Sequence, residues 1–163
     1  MQHVQPRSTT SALVLTAVLI ALATLFTMYT KIPVPGIRGY FNGGDVVIMT
    51  SALLLGRKYG AYIGAIGPAL ADLFLGYAVF VPITFVVKGI EGYLVGTVYN
   101  HKTTTSALVA TIVGGIVIVA GYFIAEYFVF DPGVAIASIL TNAIQAVMSV
   151  IISMILYAIL RRR

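Results

Sequence analysis

The chain has 163 residues, of which 60% are hydrophobic and 9% charged, whereas an average soluble domain is roughly 25% charged. A soluble fold of this size has too little interior for so much apolar surface, so lipid must be part of its solvent. Cysteine is absent, which excludes disulfides and thiolate metal sites; His3 and His101 sit near the ends of apolar runs and do not suggest a metal cluster. The net charge of +5 is spread over the connections rather than gathered on one face, which argues against a nucleic-acid partner.

Apolar runs of about 17–25 residues can cross a bilayer as helices. Six are predicted, giving an all-α fold: a single bundle of six transmembrane helices over residues 1–163. They are Ser11–Tyr29, a short Asp45–Gly56, Tyr59–Leu75, Pro82–Val98, Ala107–Glu126 and a long Pro132–Leu160. Pro82 and Pro132 suit first helical turns, Asp45 and Asp131 can cap the helices they precede, and Gly56 and Gly76 suit helix ends. Ala21-Leu22-Ala23 resembles a signal-peptide cleavage site, but the apolar run continues past it to Tyr29, so a retained helix is expected.

The cations choose a side. Arg7, Arg57, Lys58, Lys102 and Arg161-Arg162-Arg163 fall on one face of the predicted membrane, and only Lys31 and Arg38 on the other. The positive-inside rule then places both termini in the cytoplasm of a multi-pass cell-membrane protein, as an even number of spans requires.

The fourth run, VPITFVVKGIEGYLVGTVYN, carries two opposite charges where an apolar helix is expected. Counted from Pro82, Lys88 lies ~9 Å deep and Glu91 ~13.5 Å, close to the middle of a ~30 Å hydrocarbon core. A charge there costs roughly 2.5–3.5 kcal/mol, so such residues face a bundle interior or a watery cavity and have partners. Residues three apart meet on one helix face. Two readings stand: an internal ion pair that fixes register, and a polar floor for a ligand entering from outside. Asn142 reaches the depth of Glu91, with Gln145 one turn deeper; Asp72, Tyr122 and Glu126 lie in outer turns. For Asn142 and Asp72, helix pairing and ligand contact are both open. Tyr122 can be an interfacial anchor, and Glu126 is expected to face water. This bias of polar residues to the outer half predicts a pocket rather than a through-pore.

The loop TKIPVPGIRGYFN, Thr30–Asn42, is the longest external connection. Pro33 and Pro35 stiffen it, Gly36 and Gly39 let it bend, and Tyr40, Phe41 and Asn42 offer ring faces and an amide. It is either a lid or a plain linker. Gly60, Gly64 and Gly67, and Gly89, Gly92 and Gly96, recur at spacings of three and four, which predicts close backbone packing. Ala17 and Ala21 form a small pair on a first span without ionisable groups; spacing alone favours an internal contact.

The stretches GGDVVIMTSALLLGRKYGAYIGAIGPALADLFLGY (43–77) and VKGIEGYLVG (87–96), with the topology, make the chain resemble the substrate-binding S components of energy-coupling factor (ECF) vitamin transporters. The resemblance implies no catalytic activity, no cofactor and no metal. It implies an outward pocket for a small water-soluble vitamin, with a transmembrane coupling subunit and two cytoplasmic ATPases as partners. Ala17 and Ala21 match the family's alanine pair for docking, and the family's bundle rotates in the membrane to deliver its ligand. KGIEG looks most like members assigned to pyridoxine-type or hydroxymethylpyrimidine substrates. Lys88, Glu91 and Asn142 would then bind the ring's polar atoms and Phe41 or Tyr122 stack on it, with Asp72 and Asn42 as further contacts. The alternative is a self-sufficient proton-coupled carrier in which Glu91 relays the proton.

Overall fold

The structure, a computed structural model, describes residues 9–30, 32–33, 40–100 and 103–161. Six helices follow in order: α1 (Thr9–Tyr29), α2 (Gly44–Leu55), α3 (Arg57–Phe74), α4 (Phe80–Val98), α5 (Thr104–Val129) and α6 (Pro132–Leu160). Between α1 and α2 a two-residue antiparallel ladder pairs β1 (Ile32–Pro33) with β2 (Tyr40–Phe41), a feature the helical reading did not include. The ladder joins the two ends of the long connection; the tip predicted as lid or linker lies outside the described residues.

Four helices, α1, α4, α5 and α6, are long and apolar enough to cross a membrane. The other two differ for separate reasons. Helix α2 has 12 residues, ~18 Å, and α3 carries Arg57 and Lys58 in its first turn and Asp72 near its end. The shortness of α2 suits its place. It touches every other helix, and Gly44 through Leu53 are all buried. A helix that is apolar on all sides belongs in an interior. Around it the others form an open ring in the order α1, α3, α4, α5, α6, in which α1 and α6 do not touch.

The outward surface of this ring is apolar. Leu13, Val18, Phe85, Ile90, Ile116 and Leu140 are among many exposed large side chains, as expected where acyl chains take the place of water. Inside, a cluster of Met49, Leu53, Val95, Ile118 and Ala146 fills one half of the bundle. At the end bearing Arg57 and Arg161, the Tyr99 and Tyr157 hydroxyls hydrogen-bond, and the Arg161 guanidinium lies 5.6 Å from the Tyr157 ring centroid.

The glycine runs hold α3 and α4 at backbone distance. A Cβ on Gly60 would lie 2.6 Å from the Gly92 carbonyl oxygen; one on Gly92 would strike the Gly60 carbonyl, and one on Gly64 the Lys88 carbonyl. Gly67 faces α1 instead, where a Cβ would come within 2.7 Å of that of Ala23. Thr24 binds the same spot, its hydroxyl 2.9 Å from the Gly67 carbonyl. Thus α1 docks on α3 through Ala23 and Thr24, while Ala17 and Ala21 are exposed, contrary to the internal contact that spacing favoured.

Helix caps follow the reading with one correction. Asp131 accepts from the amides of Gly133 and Val134, and Gly56 and Gly76 adopt positive φ at helix ends. Asp45 does not cap α2. Asn42 satisfies the Gly44 amide at 2.9 Å, and Asp45 lies inside the first turn, directed to the core. Gly92→Val should force α3 and α4 apart and lower stability by about 1–3 kcal/mol. Ile90→Ala, on the exposed face, should change little. Thermal unfolding of the detergent-purified variants checks both.

Candidate functional site

The inward stripe of α4 is Thr84, Val87, Lys88, Glu91, Gly92 and Val95, at the three- and four-residue steps of a helix. With glycines holding α3 close, the polar members of this stripe turn toward α2 and α5. Lys88 is 1% exposed and Glu91 0%.

The nearest partner of Lys88 is Asp45, which is also fully buried. The ammonium donates to Asp45 Oδ1 and lies 3.6 Å from Glu91 Oε2. The expected Lys88–Glu91 contact is therefore present but is the weaker of two. Asp45 Oδ2 accepts from Gln145 Nε2 at 2.6 Å, and Gln145 Oε1 accepts from the Asn42 amide at 3.0 Å. This assigns both ends of the Gln145 amide, since only its NH₂ can donate to a carboxylate. A continuous polar path results: Asn42 backbone, Gln145, Asp45, Lys88, Glu91. It ties the chain just after β2 to α6, α2 and α4.

Tyr122 on α5 completes one wall. Its ring centroid lies 5.5 Å from Lys88 Nζ, within cation–π range, and its hydroxyl is 3.0 Å from Thr84 Oγ1. Thus Tyr122 faces the bundle, not the interface. Asp72 on α3 is 3% exposed and within electrostatic reach of both Lys88 and Tyr122. Asn42 is buried beside Gln145, whereas the side chain of Phe41 lies outside the described residues.

Two side chains in this region hold unused capacity. Both carboxylate oxygens of Glu91 are buried and accept no hydrogen bond among the described residues. The same holds for Asn142 Nδ2, a donor. An acceptor pair and a donor left open within a polar cluster can receive a ligand that offers the opposite groups.

Glu126 was expected to face water. It is 3% exposed and accepts from the Ser138 hydroxyl, joining α5 to α6. Asp45 and Gln145 were not foreseen in their central roles. An acid after Gly43-Gly44 fits a cap, but Asp45 is turned inward to Lys88 and Gln145. The available signal was the apolar run around it: a carboxylate opening a 12-residue helix buried on all sides needs an internal cation.

A family profile described as ECF-type riboflavin transporter, S component, matches residues 7–162. A Pyrococcus woesei protein, described as an uncharacterized protein in gap 3'region, is 41% identical over 143 residues, which are 86% of this chain and 95% of that one. The thiamine precursor transporter HmpT of Lactococcus lactis subsp. cremoris is 30% identical over 149 residues, 90% of this chain and 83% of its own length. A solved structure described as "Structure and mechanism of the S component of a bacterial ECF transporter" shares the fold, with a TM-score of 0.73 at 20% identity over 95% of this chain and 98% of that one.

Lys88→Met should leave Asp45 buried without its cation and cost about 3–5 kcal/mol. Adding Asp45→Asn to that variant should restore most of the loss, because no unpaired charge then remains at that contact. A double-mutant cycle by thermal unfolding in detergent measures the recovery.

Proposed function

Since the chain belongs to the family of ECF-type transporter S components, we propose that the cluster around Lys88 is the floor of its capture pocket for a small vitamin precursor. S components are transport subunits that bind a vitamin or precursor; they are not enzymes and work with the ECF module in the membrane. The observation that carries the proposal is the buried Glu91 carboxylate with no hydrogen-bond partner among the described residues. Leaving a charge-bearing group unsatisfied in a dry core is costly, and a bound ligand with a suitable donor removes that cost.

Two substrate sizes compete. The family profile names riboflavin, and the HmpT relative is named for a thiamine precursor. The residues favour the smaller ring, of the hydroxymethylpyrimidine or pyridoxine type. Glu91 accepts from an amino or hydroxyl group, Asn142 donates to a ring nitrogen or oxygen, and Lys88 holds Glu91 in place. Tyr122 and Phe41 supply ring faces, and Asn42 and Asp72 form the rim. Asn42 also carries the link from Gln145 to the external connection.

In this reading all six helices lie in the plasma membrane with both termini in the cytoplasm. The exposed Ala17 and Ala21 let the coupling subunit approach α1 closely. Beside them an apolar groove of about 340 Å³ runs over α2 between α1 and α6, lined by Leu15, Leu19, Leu22 and Leu156. Two ATPases bound to the coupling subunit then supply the energy.

Mass spectrometry of the purified protein, followed by calorimetry with hydroxymethylpyrimidine, pyridoxine, thiamine and riboflavin, tests the ligand. Binding of a small heterocycle, weakened at least tenfold by Glu91→Gln, is expected; no binding across the panel refutes the capture role. Ala17→Leu with Ala21→Leu should abolish ATP-driven uptake while leaving affinity within about twofold. Uptake by vesicles containing this chain alone would instead establish the proton-coupled carrier.

A further inference from the structure

Among the described residues, the charges around Lys88 do not balance. Asp45 and Glu91 both face the one ammonium, and Asp72 lies within its electrostatic reach. These groups come from α2, α4 and α3; from α5 the cluster meets the neutral phenol of Tyr122, and from α6 the neutral amides of Gln145 and Asn142. Glu126 on α5 has its own partner in Ser138. No second cation among these groups offsets the second carboxylate.

The two acids are not equivalent. Asp45 receives a hydrogen bond on each oxygen, one from Lys88 and one from Gln145. Glu91 receives none among the described residues and stands 3.6 Å from the ammonium that Asp45 has taken. A bare carboxylate in a dry interior is far costlier than a carboxylic acid, so a proton on the less solvated acid removes the surplus charge. The same site then suits a ligand that carries positive charge, or can acquire it.

We propose that the empty site holds one proton on Glu91, and that a heterocycle with a basic ring nitrogen takes this proton, or replaces it if already charged. In the first case the Glu91 O–H bond breaks and an N–H bond forms on the ring nitrogen, leaving a carboxylate facing a cationic ring. In the second the proton departs to solvent. Net charge in the bundle is unchanged either way, and nothing is oxidised or reduced. Anionic ligands are rejected, because they would add to the surplus. The inference rests on the capture reading above and specifies the ligand's charge class.

Infrared spectroscopy of the purified, ligand-free protein tests the proton without any ligand. A protonated-carboxyl band should be present at neutral pH and lost in Glu91→Gln. It should also be lost in Asp45→Asn, which leaves Glu91 intact and frees Lys88 to pair with it. Saturation of the wild type with hydroxymethylpyrimidine or pyridoxine should abolish the band. A band that survives both substitutions, or persists with a probe bound, overturns the proposal. Failure of both probes to bind overturns the capture of this ligand class and the exchange with it, and the ligand-free spectrum then shows whether the fault lies in the ligand or in the proton.

Discussion

One ammonium group in a dry helical bundle sets the positions of most of what surrounds it. Lys88 lies on a helix that otherwise reads as a membrane span, and its charge has to be met within reach of a four-carbon stem. Asp45 meets it, which requires α2 to run through the middle of the bundle with its first turn level with the middle of α4. Asp45 in turn needs a donor for its second oxygen, and Gln145 supplies one from α6. The remaining end of Gln145 binds the Asn42 backbone, which fixes where the external connection re-enters the bundle. A buried ion pair of this kind is weak evidence for stability, because desolvation offsets most of its attraction. Its firmer consequence is geometric: only one register of α2 against α4 leaves no charge unpaired at the contact.

That geometry depends on the adjoining strip of α4 being bare. Gly92 presses on Gly60, and Gly64 on the Lys88 carbonyl, so α3 and α4 meet through their backbones. The inward polar side chains of α4 turn to α2 and α5, while others such as Phe85 and Ile90 face outward. The glycine contact and the charged cluster are thus adjacent strips of one helix, and widening the first would shift Lys88 relative to Asp45. In lipid, where burying apolar surface between helices gains little over contact with acyl chains, such close packing and the polar contacts must supply most of the cohesion.

The sequence shows much of this and hides the rest for physical reasons. Long apolar runs and their caps located α1, α4, α5 and α6, because helix length in a membrane is set by bilayer thickness. The glycine spacing on α3 and α4 pointed to close backbone packing, and the fold gives Gly60 and Gly64 to the α3–α4 contact but Gly67 to α1. Lys88 and Glu91 were conspicuous because charges within apolar runs are rare. Their partners were not, because Asp45 is 43 residues from Lys88 and Gln145 is 100 from Asp45, and no local spacing encodes such pairing. Proximity along the helix made Glu91 look like the natural partner of Lys88. The fold gives that place to Asp45 and leaves the Glu91 oxygens without a hydrogen bond among the described residues. Ala17 and Ala21 show the reverse limit: their spacing alone favours internal packing, and only the docking of Ala23 and Thr24 on α3 shows that they face outward.

The two ends of the bundle do different work. Toward the end where α2 begins, polar groups from five helices converge, and buried polar atoms of Thr27, Glu91 and Asn142 have no hydrogen-bond partner among the described residues. Toward the other end, Tyr99, Tyr157 and Arg161 close the core with aromatic and hydroxyl contacts, and the cluster of Met49, Leu53 and Val95 seals the space between. A ligand admitted at the first end meets an apolar plug before it reaches the second. Among the described residues, the polar network that runs from Asn42 to Glu91 gives way to this apolar cluster. Under the capture role proposed above, delivery would then fall to movement of the whole bundle or to a partner. The smooth outer face of α1, free of ionised side chains along its span, is compatible with such movement, because no charge on it would have to be dragged through lipid.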